Sequence, residues 1–181
     1  MKNKLTSASK FLSLVLRHKP ETIDAALDEH GWLEISTLIN NANKIGNSIT
    51  LELLHEVVAT SDKRRFMLSE DGLKIRANQG HSIENVDLQL EPSTPPEVLY
   101  HGTVAQFIAS IRAKGLQKRS RNHVHLSSDL DTASKVGMRR GKPVVLAIAC
   151  DQMHKAGHQF FQSANGVWLT KTVPVEFIEF P

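Results

Sequence analysis

In the first half of the chain apolar residues recur at helical spacing. Phe11, Leu12, Leu14, Val15 and Leu16 form an apolar face after possible caps at Thr6, Ser7 and Ser9. Pro20 forces an end to that helix, because the residue before a proline is pushed out of the α region. The stretch "DEHGWLEISTLINNAN" predicts a turn, a short buried segment and a second helix, and "SITLELLHEVVATSD" a third, with Leu51, Leu54, Val57 and Val58 on one face. The pattern then changes. "RFMLSEDGLKIRA" holds two short, partly apolar runs around an Asp-Gly pair, which signals a β-hairpin. Helices followed by a hairpin suggest a winged-helix module, an arrangement that serves nucleic-acid binding and protein contacts alike.

"IENVDLQLEPSTPPEVL" breaks the periodicity, with Pro92, Pro95 and Pro96 close together. The domain boundary is expected there, separating residues 1–92 from 93–181. Downstream the predicted elements alternate: "VLYHGT" as a strand, "VAQFIASIRAKGL" as a helix stopped by Gly115, "HVHLSS" as a strand, "LDTASKVGMR" as a helix, then "PVVLAIA", "VWLT" and "VEFIEF" as strands. The fold class read from this order is α+β, a winged-helix lobe followed by a mixed α/β lobe.

Composition narrows the function. At 181 residues, 40% hydrophobic and 23% charged, the chain is an ordinary globular one. No apolar run approaches the length of a membrane span, and the N-terminal apolar stretch is too short and interrupted for a secretory signal, so a cytoplasmic protein with no membrane partner is expected. The single cysteine, Cys150, ends the apolar run "PVVLAIAC" and reads as a small buried hydrophobe. Net charge is +3, but it is unevenly spread. Arg112, Lys114, Lys118, Arg119 and Arg121 follow one another with no acid among them, and "RRGK" comes at Arg139 to Lys142. Such clusters suit a polyanion as well as a solvated face.

Three constellations in the second half can carry chemistry. "YHGT" sets Tyr100 and His101 before Gly102, where a backbone could approach a ligand closely, and adds the hydroxyl of Thr103. In "NHVHLSS", His123 and His125 share one side of a strand. Without a cysteine or a suitably spaced acid beside them, no metal is expected. The third is "NGVWLT", a Gly-bearing entry to a strand with Trp168. Neither a Gly-x-Gly-x-x-Gly nor a P-loop pattern occurs, nor a Gly-x-Ser-x-Gly, so any nucleotide must be held by other means.

The blocks "LSLVLRHKP", "DKRRF", "IRANQGHS", "LYHGT", "RNHVHLS", "VGMRRGKPVVL" and "NGVWLT", in this order, resemble the KptA family of RNA 2′-phosphotransferases, from about Leu12 to Phe180. The resemblance implies a winged-helix RNA-binding lobe and an ADP-ribosyltransferase-like, NAD-binding lobe. It implies NAD as co-substrate and an RNA with an internal 2′-phosphate, such as a spliced tRNA, as substrate. In the implied reaction the 2′-phosphate attacks the anomeric carbon of the nicotinamide riboside, giving a 2′-phospho-ADP-ribosylated RNA. The ribose O2″ then attacks phosphorus and releases RNA with a 2′-hydroxyl and ADP-ribose 1″,2″-cyclic phosphate.

The family's catalytic set maps onto Arg17, His18, Arg65 and Arg121. Arg64 and Arg119 stand as competitors for the last two positions. A planar guanidinium can hold two oxygens of a dianionic phosphate at once, which lysine cannot do. The resemblance places NAD against Tyr100, His101, Gly102, Thr103, His125, Leu126 and Ser127, with Gly137, Arg139 and Arg140 toward its pyrophosphate or the RNA backbone. Arg76, Asn78, Gln79 and His81 are implied to bind substrate in the cleft between lobes, and the protein is expected to be a monomer. Two other classes fit parts of the chain: an ADP-ribosyltransferase acting on protein or on terminal nucleic-acid phosphates, and a non-catalytic winged-helix nucleic-acid binder.

Overall fold

The apolar face of the first segment runs along α1 (Lys2–Arg17) in the computed structural model, which describes residues 2–61 and 63–181. Met1 and Asp62, the latter ending the third predicted helix and opening the "DKRRF" block, lie outside the described residues. The helix begins earlier than the hydroxyl residues suggested. Thr6, Ser7 and Ser9 lie inside it and cannot cap it, since a cap stands outside helical geometry. Leu12, Val15 and Leu16 are fully buried, and Pro20 opens a 3₁₀ turn, Pro20–Ile23.

β1 (Trp32–Glu34) leads directly into α2 (Ile35–Lys44), and α3 (Leu51–Ala59) follows. Thr50 caps α3, its Oγ1 accepting from the Leu53 N–H at 3.2 Å. β2 (Phe66–Leu68) and β3 (Lys74–Ala77) form the expected hairpin, turning at Gly72 with φ of 71°. The Asp71 carboxylate closes the turn by accepting from the Leu73 N–H at 3.0 Å. β1 joins on the other side of β3, so the sheet order is β1-β3-β2, antiparallel throughout. Three helices and this sheet enclose one core, with Leu12, Leu16, Leu38, Leu54 and Ile75 at its centre.

The chain divides into two compact units, Met1–Gln89 and Leu90–Pro181. The second opens with β4 (Val98–Val104), α4 (Ala105–Lys114), β5 (Leu116–Gln117) and β6 (Val124–Leu126). It continues with α5 (Leu130–Gly137), β7 (Pro143–Ala149) and α6 (Cys150–Lys155). β8 (Phe160–Gln162), β9 (Trp168–Thr170), β10 (Thr172–Val173) and β11 (Ile178–Glu179) complete it. The two larger sheets run β11-β7-β4 and β6-β9-β8, and β10 pairs with β5. A bridge between Tyr100 and Ser127 ties β4 to the end of β6. The second core holds Leu99, Leu126, Leu146, Ile148, Met153 and Phe160.

The whole is therefore a mixed α+β protein, and among the described residues no helix is long and apolar enough to cross a membrane. Several local expectations are corrected. "VEFIEF" is not one strand: Pro174 lacks an N–H and starts a 3₁₀ turn, Val175–Phe177, which leaves only β11 extended. The strands Phe160–Gln162 and Leu116–Gln117 were not foreseen, nor was helix α6. Cys150 is fully buried, and burial pushes its thiol up to about 12.

Candidate functional site

In the first unit the end of α1, the residues before β2 and the loop after β3 meet. The Arg65 carbonyl accepts from the Asn78 N–H at 2.9 Å, and the Arg17 carbonyl from the Ser82 N–H at 2.9 Å. The loop from Asn78 to Ser82 is thereby pinned to both arginine-bearing segments. Gly80, at φ of 89°, lets its backbone lie against the Arg17 side chain: a Cβ there would stand 3.6 Å from Nη1 and 3.8 Å from Cζ. The Arg17 guanidinium also sits over the Phe66 ring, 5.9 Å from its centroid. Next to it, His18 Nδ1 and Ser82 Oγ are 2.9 Å apart, and this contact orients the imidazole. His18 and Arg65 line the same groove of about 570 Å³.

Arg64 and Arg65 are separated by backbone rather than by strand alternation. Both precede β2; Arg64 is exposed and left-handed (φ 39°), its carbonyl accepting from Asn78 Nδ2 at 2.5 Å, while Arg65 is half-buried. Of the loop residues read as substrate-binding, Asn78 and His81 are buried, Gln79 half-buried, and Asn78 Oδ1 and His81 Nε2 have no hydrogen-bond partner. Burial, then the charges of Arg17, His18 and Arg76, push the His81 imidazole down to about 4. His81 is therefore neutral at pH 7. Arg76 stacks on Trp32, with its Cζ 4.5 Å from the ring centroid, and donates to the His30 carbonyl at 3.4 Å.

In the second unit "YHGT" and "HVHLS" come together. Tyr100 and Ser127 exchange backbone hydrogen bonds of 2.8 Å, and His101 Nδ1 lies 3.0 Å from the His125 carbonyl. A carbonyl only accepts, so Nδ1 carries the proton, and burial lowers the pKa of the ring despite that bond. His101 thus presents a lone pair at Nε2, suited to accept from a ribose hydroxyl. Thr103 is buried on the same strand. Leu126 and Trp168 belong to the core, which leaves only the backbone of Leu126 for a ligand.

Gly102 is required by packing inside the second unit. A Cβ there would meet the Ala133 carbonyl oxygen at 1.7 Å and the Gly137 nitrogen at 2.9 Å. A Cβ on Gly137 would in turn meet the Thr103 oxygen at 2.7 Å. The two glycines let α5 cross β4 in backbone contact, and this fixes where Arg139 and Arg140 emerge, in the 3₁₀ turn Met138–Arg140 after α5.

The stretch holding Arg119 and Arg121 is a turn, not an extended run. Arg119 adopts φ of 54° and sits over Phe107, 5.2 Å from its ring centroid, and Arg140 sits over the same ring at 5.6 Å. Arg121 is instead grouped with Arg139 and Arg140. Desolvation, then these two charges, lower its pKa below the ordinary arginine value. Among the described residues no carboxylate pairs with Arg119, Arg121, Arg139 or Arg140. Phe107, Phe66, Trp32 and Ser82 were not singled out from sequence. An aromatic or serine reads as core or loop until its cationic neighbour is placed.

A cluster of guanidinium groups without counter-charge beside a neutral, hydroxyl-seeking histidine fits a phosphorylated ligand that carries ribose hydroxyls, and so fits a dinucleotide. These features suit phosphate-rich ligands. The sequence profile of the RNA 2′-phosphotransferase, Tpt1 / KptA family matches residues 3–172. A "Probable RNA 2′-phosphotransferase" of Rhodopirellula baltica is 62% identical over 177 residues, covering 98% of this chain and 96% of that protein. One from Pectobacterium atrosepticum is 51% identical over 179 residues, 99% of each chain, and one from Hahella chejuensis 54% identical over 178, 98% of this chain and 95% of that protein. The chain belongs to the RNA 2′-phosphotransferase, Tpt1 / KptA family.

Proposed function

We propose that the protein removes an internal 2′-phosphate from RNA using NAD⁺, yielding RNA with a 2′-hydroxyl, nicotinamide and ADP-ribose 1″,2″-cyclic phosphate. The observation that carries this reading is the pinning of Arg17, His18 and Arg65 around one loop in a chain of this family. NAD⁺ supplies an activated anomeric carbon whose leaving group is nicotinamide. The residues of this chain supply charge and orientation. Arg17 and Arg65 hold the phosphate oxygens in bidentate fashion and aim one at the carbon, and Arg121 adds a third guanidinium. Held in place by Ser82, His18 hydrogen-bonds the phosphate or the ribose edge and moves the proton that the second transfer requires. Tyr100, His101, Thr103, His125 and Ser127 take the dinucleotide's riboses and rings, Arg139 and Arg140 its pyrophosphate. In this reading the first unit is a winged-helix RNA-binding module and the second an ADP-ribosyltransferase-like lobe, acting in the cytoplasm as a monomer.

The experiment is incubation with a short RNA bearing one internal 2′-phosphate, with and without NAD⁺, products being followed by mass. Loss of the phosphate only with NAD⁺, together with the cyclic phosphate of ADP-ribose, is expected. An Arg17→Ala variant with an unchanged fold should lose this transfer. RNA that binds and stays unchanged would refute the catalytic reading and leave a nucleic-acid binder.

A further inference from the structure

The groove of about 570 Å³ that touches His18 and Arg65 extends along α1 beyond the catalytic set. Its α1 wall includes Thr6, Ser9 and Ser13, and Thr60 and Ser61 face them from the end of α3. On a merely solvated helix face, Lys and Glu would serve better, because Ser and Thr compete with the helix for backbone hydrogen bonds. Here the hydroxyls occur at positions i, i+3 and i+7, so they share one face. Lys10 and Lys63 add positive charge, and no Asp or Glu lines the groove among the described residues. An exposed Leu14 gives it an apolar patch. Lysines for phosphates, hydroxyls that both donate and accept for 2′-hydroxyls, and an apolar surface for a ribose or base are what a single RNA strand requires.

We infer that this groove holds the RNA strand flanking the 2′-phosphorylated nucleotide, with Lys10 contacting a backbone phosphate away from the reacting one. The inference rests on the RNA 2′-phosphotransfer reading above. Lys10 stands roughly 12 Å along the helix axis from His18, at 1.5 Å per residue. A substrate with little RNA beside the 2′-phosphate therefore leaves it unused, and a longer one engages it.

The test compares NAD⁺-dependent dephosphorylation of a 2′-phosphorylated dinucleotide and of a longer single strand with the same central 2′-phosphate, in wild type and Lys10→Glu. Lys10 is exposed, so the variant should fold, and its circular dichroism and melting curve check this. The wild type should show the lower KM for the longer strand. Lys10→Glu should raise that KM about fivefold with kcat unchanged and leave the dinucleotide's kinetics as they were. In Lys10→Gln the slope of log affinity against log salt should fall by about 0.7 for the longer strand, the value for one lost phosphate contact on a single strand. Equal KM values for both substrates in the wild type, or equal effects of Lys10→Glu on both, would overturn the inference. If neither substrate reacts in the wild type, it is the activity reading that fails. Binding of unmodified single-stranded RNA then decides the groove: weaker binding by Lys10→Glu supports it, and unchanged binding overturns it.

Discussion

His81 gives a quantitative handle on the loop pinned against Arg17 and Arg65 in the first unit. Its imidazole is 2% exposed and is pushed down to about 4, first by burial and then by Arg17, His18 and Arg76. In the unfolded chain the same ring titrates at its ordinary value of about 6.5. The folded pKa is the lower one, so between these values the unfolded state binds more protons, and stability falls as pH falls. At pH 7.5 the contribution is fully present. At pH 5 the unfolded state is mostly protonated and the folded state is not, which removes about 2 kcal/mol; the loss approaches about 3 kcal/mol near pH 4.

The perturbation is His81→Gln, which cannot titrate. Urea unfolding is followed by Trp32 fluorescence in a Trp168→Phe background, so that the signal reports the first unit alone. The remaining titratable groups are common to both proteins, and the comparison isolates the contribution of position 81. The fixed offset caused by the substitution does not matter, because only the pH dependence is compared. Between pH 7.5 and pH 5 the parent should lose about 2 kcal/mol more than His81→Gln. A difference under about 0.5 kcal/mol would mean that His81 does not sit neutral beside Arg17, and the charge arrangement of this loop would have to be abandoned.

The glycine crossing makes a steric prediction: Gly102→Ala forces a methyl into the Ala133 carbonyl, a backbone atom that cannot swing aside, and should destabilise the second unit by about 3 kcal/mol or more. A melting temperature lowered by more than about 10 °C is expected, and one within about 2 °C of the parent would refute the crossing. Phe107→Leu removes the ring under Arg119 and Arg140 and keeps the bulk, so under the proposed NAD⁺-dependent reaction KM for NAD⁺ should rise about fivefold with kcat unchanged. A matching fall in kcat alone would contradict a positioning role. With its thiol held at about 12, Cys150 should react with a disulfide reagent at pH 8 about a thousandfold slower in the folded protein than in urea. Comparable rates in the two states would show that the thiol is not buried.

What sequence reveals about this molecule follows from what periodicity constrains. Burial of Leu12, Val15 and Leu16 demands one helical phase, and Pro20 and the Asp71–Gly72 pair end elements by covalent geometry alone, so the first helix and the hairpin were legible. Thr6, Ser7 and Ser9 misled because hydroxyls normally mark helix starts. Here Thr6 and Ser9, with Ser13, lie along a groove wall, a placement that local propensity cannot encode. "VEFIEF" is rich in strand-forming residues, but Pro174 sets its first half turning. Gly102 stood out as a special residue, but its packing role was not legible, since the carbonyl that excludes a Cβ belongs to Ala133, far along the chain.

Charged side chains escape this logic altogether. No core tells an arginine which way to point, so Arg119 and Arg121 were indistinguishable until Phe107 captured one and Arg139 and Arg140 surrounded the other. Order along the chain could say only that the arginines fall in the family blocks. Which guanidinium faces which neighbour depends on left-handed turns such as that at Arg119, and on ring faces supplied by distant helices. A candidate site whose cations stand at helix ends and in turns is therefore readable as a composition and unreadable as a geometry. The aromatic rings and glycines that orient its arginines are thus where substitutions should separate binding from folding.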